Sequence, residues 1–168
     1  MYSKRTALWV LIGLTGLGIL QGLYFYPRLP DIVAHHYNAF GQPDAWGSKQ
    51  FLVSFQIGTI LFIAVIFYGI GKLIYKTPDS YINLWNKSYW LAPERRMATL
   101  DKLSAMSFWL GNITLLFLLW LFQYQYTQNL MGRQHEMRYV WAGILVYIVI
   151  LFGCIFLFWR AFRKKSSS

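Results

Sequence analysis

The stretch FLVSFQIGTILFIAVIFYGI, Phe51 to Ile70, decides the fold: twenty consecutive residues without an Asp, Glu, Lys or Arg. A helix needs about 20 mainly apolar residues to cross a bilayer, and a buried charge at its centre would cost about 2.5–3.5 kcal/mol. Three more segments read the same way on either side: Ala7 to Tyr26, Met106 to Tyr126 and Tyr139 to Trp159. Four spans in 168 residues leave little chain for anything else. The composition agrees, with 57% hydrophobic, 20% aromatic and only 13% charged residues and a mean hydropathy of +0.37. A soluble domain carries about 25% charged residues, so a soluble fold is excluded and the class is an all-α integral membrane protein with four transmembrane helices. The whole chain, 1–168, reads as one membrane domain.

The net charge of +10 describes topology rather than nucleic-acid binding, because the basic residues flank the apolar runs. Twelve of the sixteen Lys and Arg fall in the N-terminus (Lys4, Arg5), the 71–105 loop and the C-terminus (Arg160, Arg163, Lys164, Lys165). The other four, Arg28, Lys49, Arg133 and Arg138, lie in the 27–50 and 127–138 segments. The positive-inside rule places both termini and the 71–105 loop in the cytoplasm and the other two segments outside. Lys4 and Arg5 before an apolar run resemble a secretory signal, but the run is long and lacks a small-x-small cleavage site before Pro27; it reads as an uncleaved signal anchor. Cys154 stands alone within a span, so no disulfide framework and no cysteine zinc site is expected. Within or near the ends of the spans, Gln21, Gln56, Asn112 and Gln123 suit interhelical hydrogen bonding. Gly18 and Gly22, with Gly13 and Gly16, give the first helix a small-residue face.

The outward segment from Leu29, LPDIVAHHYNAFGQPDAWGSK, carries the most information. Pro30, Gly41, Pro43 and Gly47 exclude a helix and call for tight turns. Asn38 and Asp44 suit turn positions because their side chains bond nearby backbone donors, and Ser48 is placed to cap the second span. Between Pro30 and Asn38 an extended chain would alternate its side chains. That puts His36 and Asn38 on one face, with His35 and Tyr37 on the other. His36, Asn38 and Asp44 are expected to form a polar cluster that holds the loop together, with Tyr37 and Trp46 as contact surface. A rival reading uses His36, His135 and Glu136 as ligands of a types zinc or copper accepts; no other cofactor is expected.

In the 71–105 loop, Trp85, Lys87, Tyr89, Trp90, Arg95 and Arg96 interleave aromatic and basic groups, which suits the lipid headgroup region. Pro93 fits the first turn of a helix, with Glu94 at its positive end, running into the third span. The sequence holds no HExxH, GxSxG or phosphate loop and no intramembrane carboxylate pair, so no enzyme is expected.

Pro30, Asp31, His36, Tyr37, Asn38, Gly41, Pro43, Asp44, Trp46, Gly47 and Lys49 resemble the pattern of a bacterial membrane domain of unknown function, which has proline where this chain has Ala34. The same domain forms the N-terminal part of the SdpI-type immunity proteins, which protect against a secreted toxin. The resemblance implies a non-enzymatic protein of the bacterial cytoplasmic membrane that recognises an extracellular ligand or toxin or senses the envelope. The alternative is an accessory subunit of a membrane complex, docked through the glycine face of the first helix. The expected partners are the lipid bilayer and either a membrane protein complex or an extracellular peptide, with no nucleic acid.

Overall fold

The computed structural model describes residues 3–132 and 136–163. Its order is α1 (Lys4–Phe25), β1 (Ile32–Tyr37), β2 (Pro43–Ser48), α2 (Lys49–Leu73), α3 (Lys87–Trp90), α4 (Pro93–Met131) and α5 (Met137–Arg163), with short 3-10 turns at Ile74–Lys76 and Asp79–Tyr81. Four of the helices are long and apolar enough to cross a membrane. They contain the four apolar runs except for Tyr26, which caps α1, and each begins before its run in a polar flank.

The termini of these helices follow from local chemistry. Ser3 caps α1 by accepting from the Thr6 N–H, and Ser48 caps α2 by accepting from the Phe51 N–H, where serine oxygens satisfy otherwise orphaned donors. Pro93 opens α4 with Glu94 in its first turn, and no breaker separates that turn from the apolar run. The result is a single 39-residue helix, about 58 Å long at 1.5 Å per residue, against a hydrocarbon core of about 30 Å. It ends on Gly132 at φ +59°, a left-handed position that glycine adopts without steric cost.

α1, α2 and α4 form the core. Ala7, Leu11, Ile60, Phe108, Leu115 and Leu119 make its central cluster. Phe25, Leu29, Val33, Leu52, Val53, Phe122 and Tyr126 make a second one beneath the hairpin. Gly18 and Gly22 bring α1 close to α2: a Cβ on Gly18 would lie 2.9 Å from Ile60, and one on Gly22 2.5 Å from Gln56 Oε1. This part of the small-residue face is therefore used inside the chain, while Gly13 and Gly16 meet nothing within 4 Å. The four polar residues of the spans do join helices. Gln56 Nε2 donates to Gly18 O and Gln21 Oε1, each at 3.0 Å, and Gln21 Nε2 donates to Leu119 O and Gln123 Oε1, each at 3.0 Å. Asn112 Nδ2 donates to Ala7 O at 3.0 Å.

α5 stands outside this core and leans on α4. Phe117 stacks on Tyr147 with centroids 4.6 Å apart, and Thr114 Oγ1 lies 3.2 Å from the Tyr147 hydroxyl. Gly143 lets Trp120 approach so closely that an added Cβ would sit 2.2 Å from the indole.

The elements sort to two ends. The hairpin meets α4 near its C-terminus through Ala34 and Asn129, and Tyr124 bonds Glu136 at the start of α5. At the opposite end Lys4 pairs with Asp101 at 2.6 Å, and Tyr75 also donates to Asp101. The segments grouped by their sparse cations thus share one end, and the cation-rich segments share the other.

Candidate functional site

The 27–50 segment, expected as a turn-rich loop, contains an antiparallel two-stranded sheet. The all-α class therefore describes the helices but not this cap. The strands form because Pro30, Gly41 and Pro43 deny a helix to a run that includes Ile32, Val33 and Tyr37, types that favour a pleated, half-buried surface. The tip is built by Asn38. Its Oδ1 accepts from the Phe40 and Gln42 N–H groups at 2.9 and 3.0 Å, and its N–H donates to Gln42 O at 2.9 Å. Gly41, at φ +81°, closes the turn.

His36 Nδ1 lies 2.5 Å from Asp44 Oδ1, so these two meet across the strands as expected. Asn38 does not join them; its amide is committed to the tip. Strict alternation fails here because the register shifts on both sides of His36, which faces Ala45 while Ala34 faces Trp46 and Tyr37 faces Pro43. Such bulges re-aim side chains and end the regular pairing. His35 goes to the other side, its ring 5.2 Å from that of Phe51 and packed over Gly47.

Two clamps fix the hairpin to the helices. Lys49 Nζ sits 3.0 Å from Asp31 Oδ1 and 3.3 Å from Leu29 O, and the Lys49 N–H donates to Asp31 O at 3.0 Å. At the other edge the Asn129 side chain imitates a neighbouring strand. Its Oδ1 accepts from the Ala34 N–H at 2.8 Å and its Nδ2 donates to Ala34 O at 3.0 Å. Gln125 Nε2 adds a bond to His35 O at 3.3 Å. Sequence reasoning missed Asn129 and Gln125, since nothing in a helical stretch announces that two amides will close a distant strand. Asn129→Leu removes both amide bonds to Ala34. At about 1.4 kcal/mol for the lost pair, protease cleavage within 32–48 is expected to accelerate about tenfold in detergent; an unchanged rate would show that the clamp does not hold the cap.

Beside this clamp lies a cleft of about 180 Å³, lined among others by Ile32, Tyr37, Trp46, Gln128 and Gly132. Ile32 and Trp46 are 61% and 58% exposed, and Phe40 at the tip is 84% exposed. Burial pushes the Tyr37 phenol up to about 12, so it stays protonated at neutral pH. The carboxylates of this end are paired: Asp31 with Lys49, Asp44 with His36, Glu136 with Arg138. No group of three potential metal ligands forms among the described residues. His135 lies outside the described residues, and of its companions in the zinc or copper reading, His36 is taken up by Asp44 and Glu136 by Arg138.

At the opposite end most of the aromatic–basic residues are engaged within the chain. Trp90 Nε1 donates to Phe162 O at 2.8 Å, Arg95 lies 4.2 Å from the Tyr89 ring centre, and Arg96 pairs with Asp79 at 2.9 Å. Lys87 Nζ donates to Ser80 O at 3.0 Å. Trp85 remains exposed.

Fold and site together define a class: helical proteins with four helices long and apolar enough to cross a membrane, closed at one end by a clamped β-hairpin. Within the chain, residues 13–62, from α1 through the hairpin into α2, match the family model of a domain of unknown function (DUF1648). No curated protein and no solved structure matches the chain.

Proposed function

We propose that this chain is a non-enzymatic, SdpI-like protein of the bacterial cytoplasmic membrane whose hairpin faces the exterior and recognises a secreted peptide or toxin. One observation carries the reading: the hairpin is held rigidly at its base and along β1, yet presents Ile32, Trp46 and Phe40 to solvent. Exposed apolar side chains on a fixed frame suit recognition, because little ordering entropy remains to be lost on binding. β1 is closed by Asn129, whereas no described residue pairs with the outer edge of β2. An extended peptide adds to such an edge through main-chain hydrogen bonds, with side-chain pockets giving selectivity. The orientation rests on the excess of Lys and Arg at the opposite end. As for an accessory subunit docked through the glycine face, only Gly13 and Gly16 remain open to a partner.

The test has two arms. A thiol introduced as Phe40→Cys, in a Cys154→Ser background, is expected to react with a membrane-impermeant maleimide in intact cells. A strain lacking the gene is expected to become sensitive to a secreted peptide of its own community. The wild-type gene restores tolerance, and an Ile32→Ser/Trp46→Ala variant present in equal amount does not. Labelling only after lysis, or full protection by the variant, would overturn the reading.

A further inference from the structure

The corner where α3, α4 and the end of α5 meet has a composition that neither the fold nor the proposed recognition uses. Its floor is aromatic. The Trp90 indole donates to Phe162 O at 2.8 Å and packs edge-on against the Phe162 ring, centroids 5.2 Å apart. Tyr89 meets the same indole at 5.2 Å. Cations sit on these rings. Lys102 Nζ is 4.8 Å from the Trp90 centroid and Arg95 Cζ is 4.2 Å from that of Tyr89. Arg163 Cζ, one residue past Phe162, is 4.9 Å from Trp159 and 5.9 Å from Trp85. Arg95 and Lys102 are seven residues apart, two helical turns, and so share a face of α4.

None of these three cations forms an ion pair among the described residues. The carboxylates Asp79 and Asp101 are taken by Arg96 at 2.9 Å and Lys4 at 2.6 Å, and the remaining acid of this end, Glu94, is exposed in the first turn of α4. A cation over a ring face keeps N–H donors free, because the ring attracts it electrostatically without filling its hydrogen bonds. Two such groups on the Trp90–Tyr89 floor, with Arg163 on the neighbouring Trp159 and Trp85 rings, suit a phosphate diester, an acceptor group that arginine engages bidentately.

We infer that this corner binds the headgroup phosphate of an anionic phospholipid, bridging α4 to the end of α5. Lipid is the source, rather than free phosphate, because Arg163 stands beside two exposed rings, Trp85 at 58% and Trp159 at 45%. Such amphipathic rings belong at headgroup depth. Below them the exposed Phe152, Phe156 and Leu157 of α5 offer an apolar wall for the acyl chains. The inference goes beyond the recognition proposal and is independent of which way the hairpin faces.

The test uses the full chain purified in a neutral detergent and follows its thermal midpoint during titration with phosphatidylglycerol. Phosphatidylglycerol is expected to raise the midpoint, while phosphatidylcholine and inorganic phosphate leave it unchanged. At about 1 kcal/mol per cation, the variant Arg95→Gln/Lys102→Gln/Arg163→Gln is expected to need about 100-fold more lipid for the same rise. A charge-matched control, Arg5→Gln/Lys72→Gln/Lys76→Gln, keeps the wild-type response. Arg163→Gln alone, at the end of the last described helix, gives a partial loss and serves if the triple variant does not fold. Equal loss in the control would reduce the effect to diffuse charge and overturn the site. An unchanged response in the site variants would do the same, and a rise with inorganic phosphate would overturn the lipid source.

Discussion

Gln56→Leu is expected to lower the unfolding free energy by about 2–3 kcal/mol, measured by denaturant titration of the protein in mixed micelles. Gln56 is fully buried. Besides its two donor bonds to α1, its Oε1 accepts from the Tyr126 hydroxyl at 2.7 Å. Interhelical hydrogen bonds in membrane proteins average about 0.6 kcal/mol, so three of them alone would give a modest loss. The larger part comes from Tyr126, also fully buried, whose hydroxyl is left without an acceptor at a cost of about 1–3 kcal/mol. Gln56→Leu/Tyr126→Phe removes the orphaned hydroxyl and is expected to be more stable than Gln56→Leu alone. A double variant less stable than the single would mean that the two side chains contribute by packing rather than through their bond. Gln123→Leu is expected to cost under about 1 kcal/mol, because Gln123 is exposed and contributes one bond to the network.

Gly143→Leu is expected to detach α5 from α4 while leaving the α1–α2–α4 core intact. Its first added carbon would lie 2.2 Å from the Trp120 ring, far inside van der Waals contact. Overpacking of this kind costs about 1–3 kcal/mol when neighbours can shift. Trp120 itself is held against Phe117 and Tyr124, in stacks of 6.0 and 6.1 Å, so α5 is the partner free to give way. Spin labels at Leu116→Cys and Leu145→Cys, both exposed positions, in a Cys154→Ser background, report the separation. The wild-type background is expected to give one narrow distance distribution, and Gly143→Leu a broad, longer one. If the variant instead loses stability as a whole with the distribution unchanged, α5 is part of the core's cooperative unit.

Both predictions concern positions that the sequence shows only in part. Gln56 stands out as a polar residue in an apolar run, and the expectation of an interhelical bond needs nothing further, because a lone amide in such a run must find a partner. Tyr126 as that partner could not be read, since aromatic residues close most of the spans and any of them could approach. Gly143 is one of thirteen glycines, and nothing in its neighbours distinguishes it from Gly153, which meets nothing within 4 Å. The hairpin shows the same division. Ser48 as a cap, the His36–Asp44 contact and the turn at Asn38 follow from residue types and short spacings. The placement of Asn38 away from His36 does not, because the register shifts on both sides of His36 and the turn takes up the Asn38 amide.

The amino-acid sequence by itself determined the four long apolar helices, the serine cap of α2, the proline start of α4, the charge asymmetry between the two ends and the turn chemistry of the 27–50 segment. These are consequences of composition and neighbours within a few residues. Only the tertiary structure decided that Gly18 and Gly22 are spent on α2, that Asn129 closes the edge of β1, and that Trp90 is anchored on Phe162. Each of these contacts joins residues 34 or more positions apart. At that separation partners are chosen by how helices pack and rotate against one another, a property of the assembled chain that no local pattern of residues encodes.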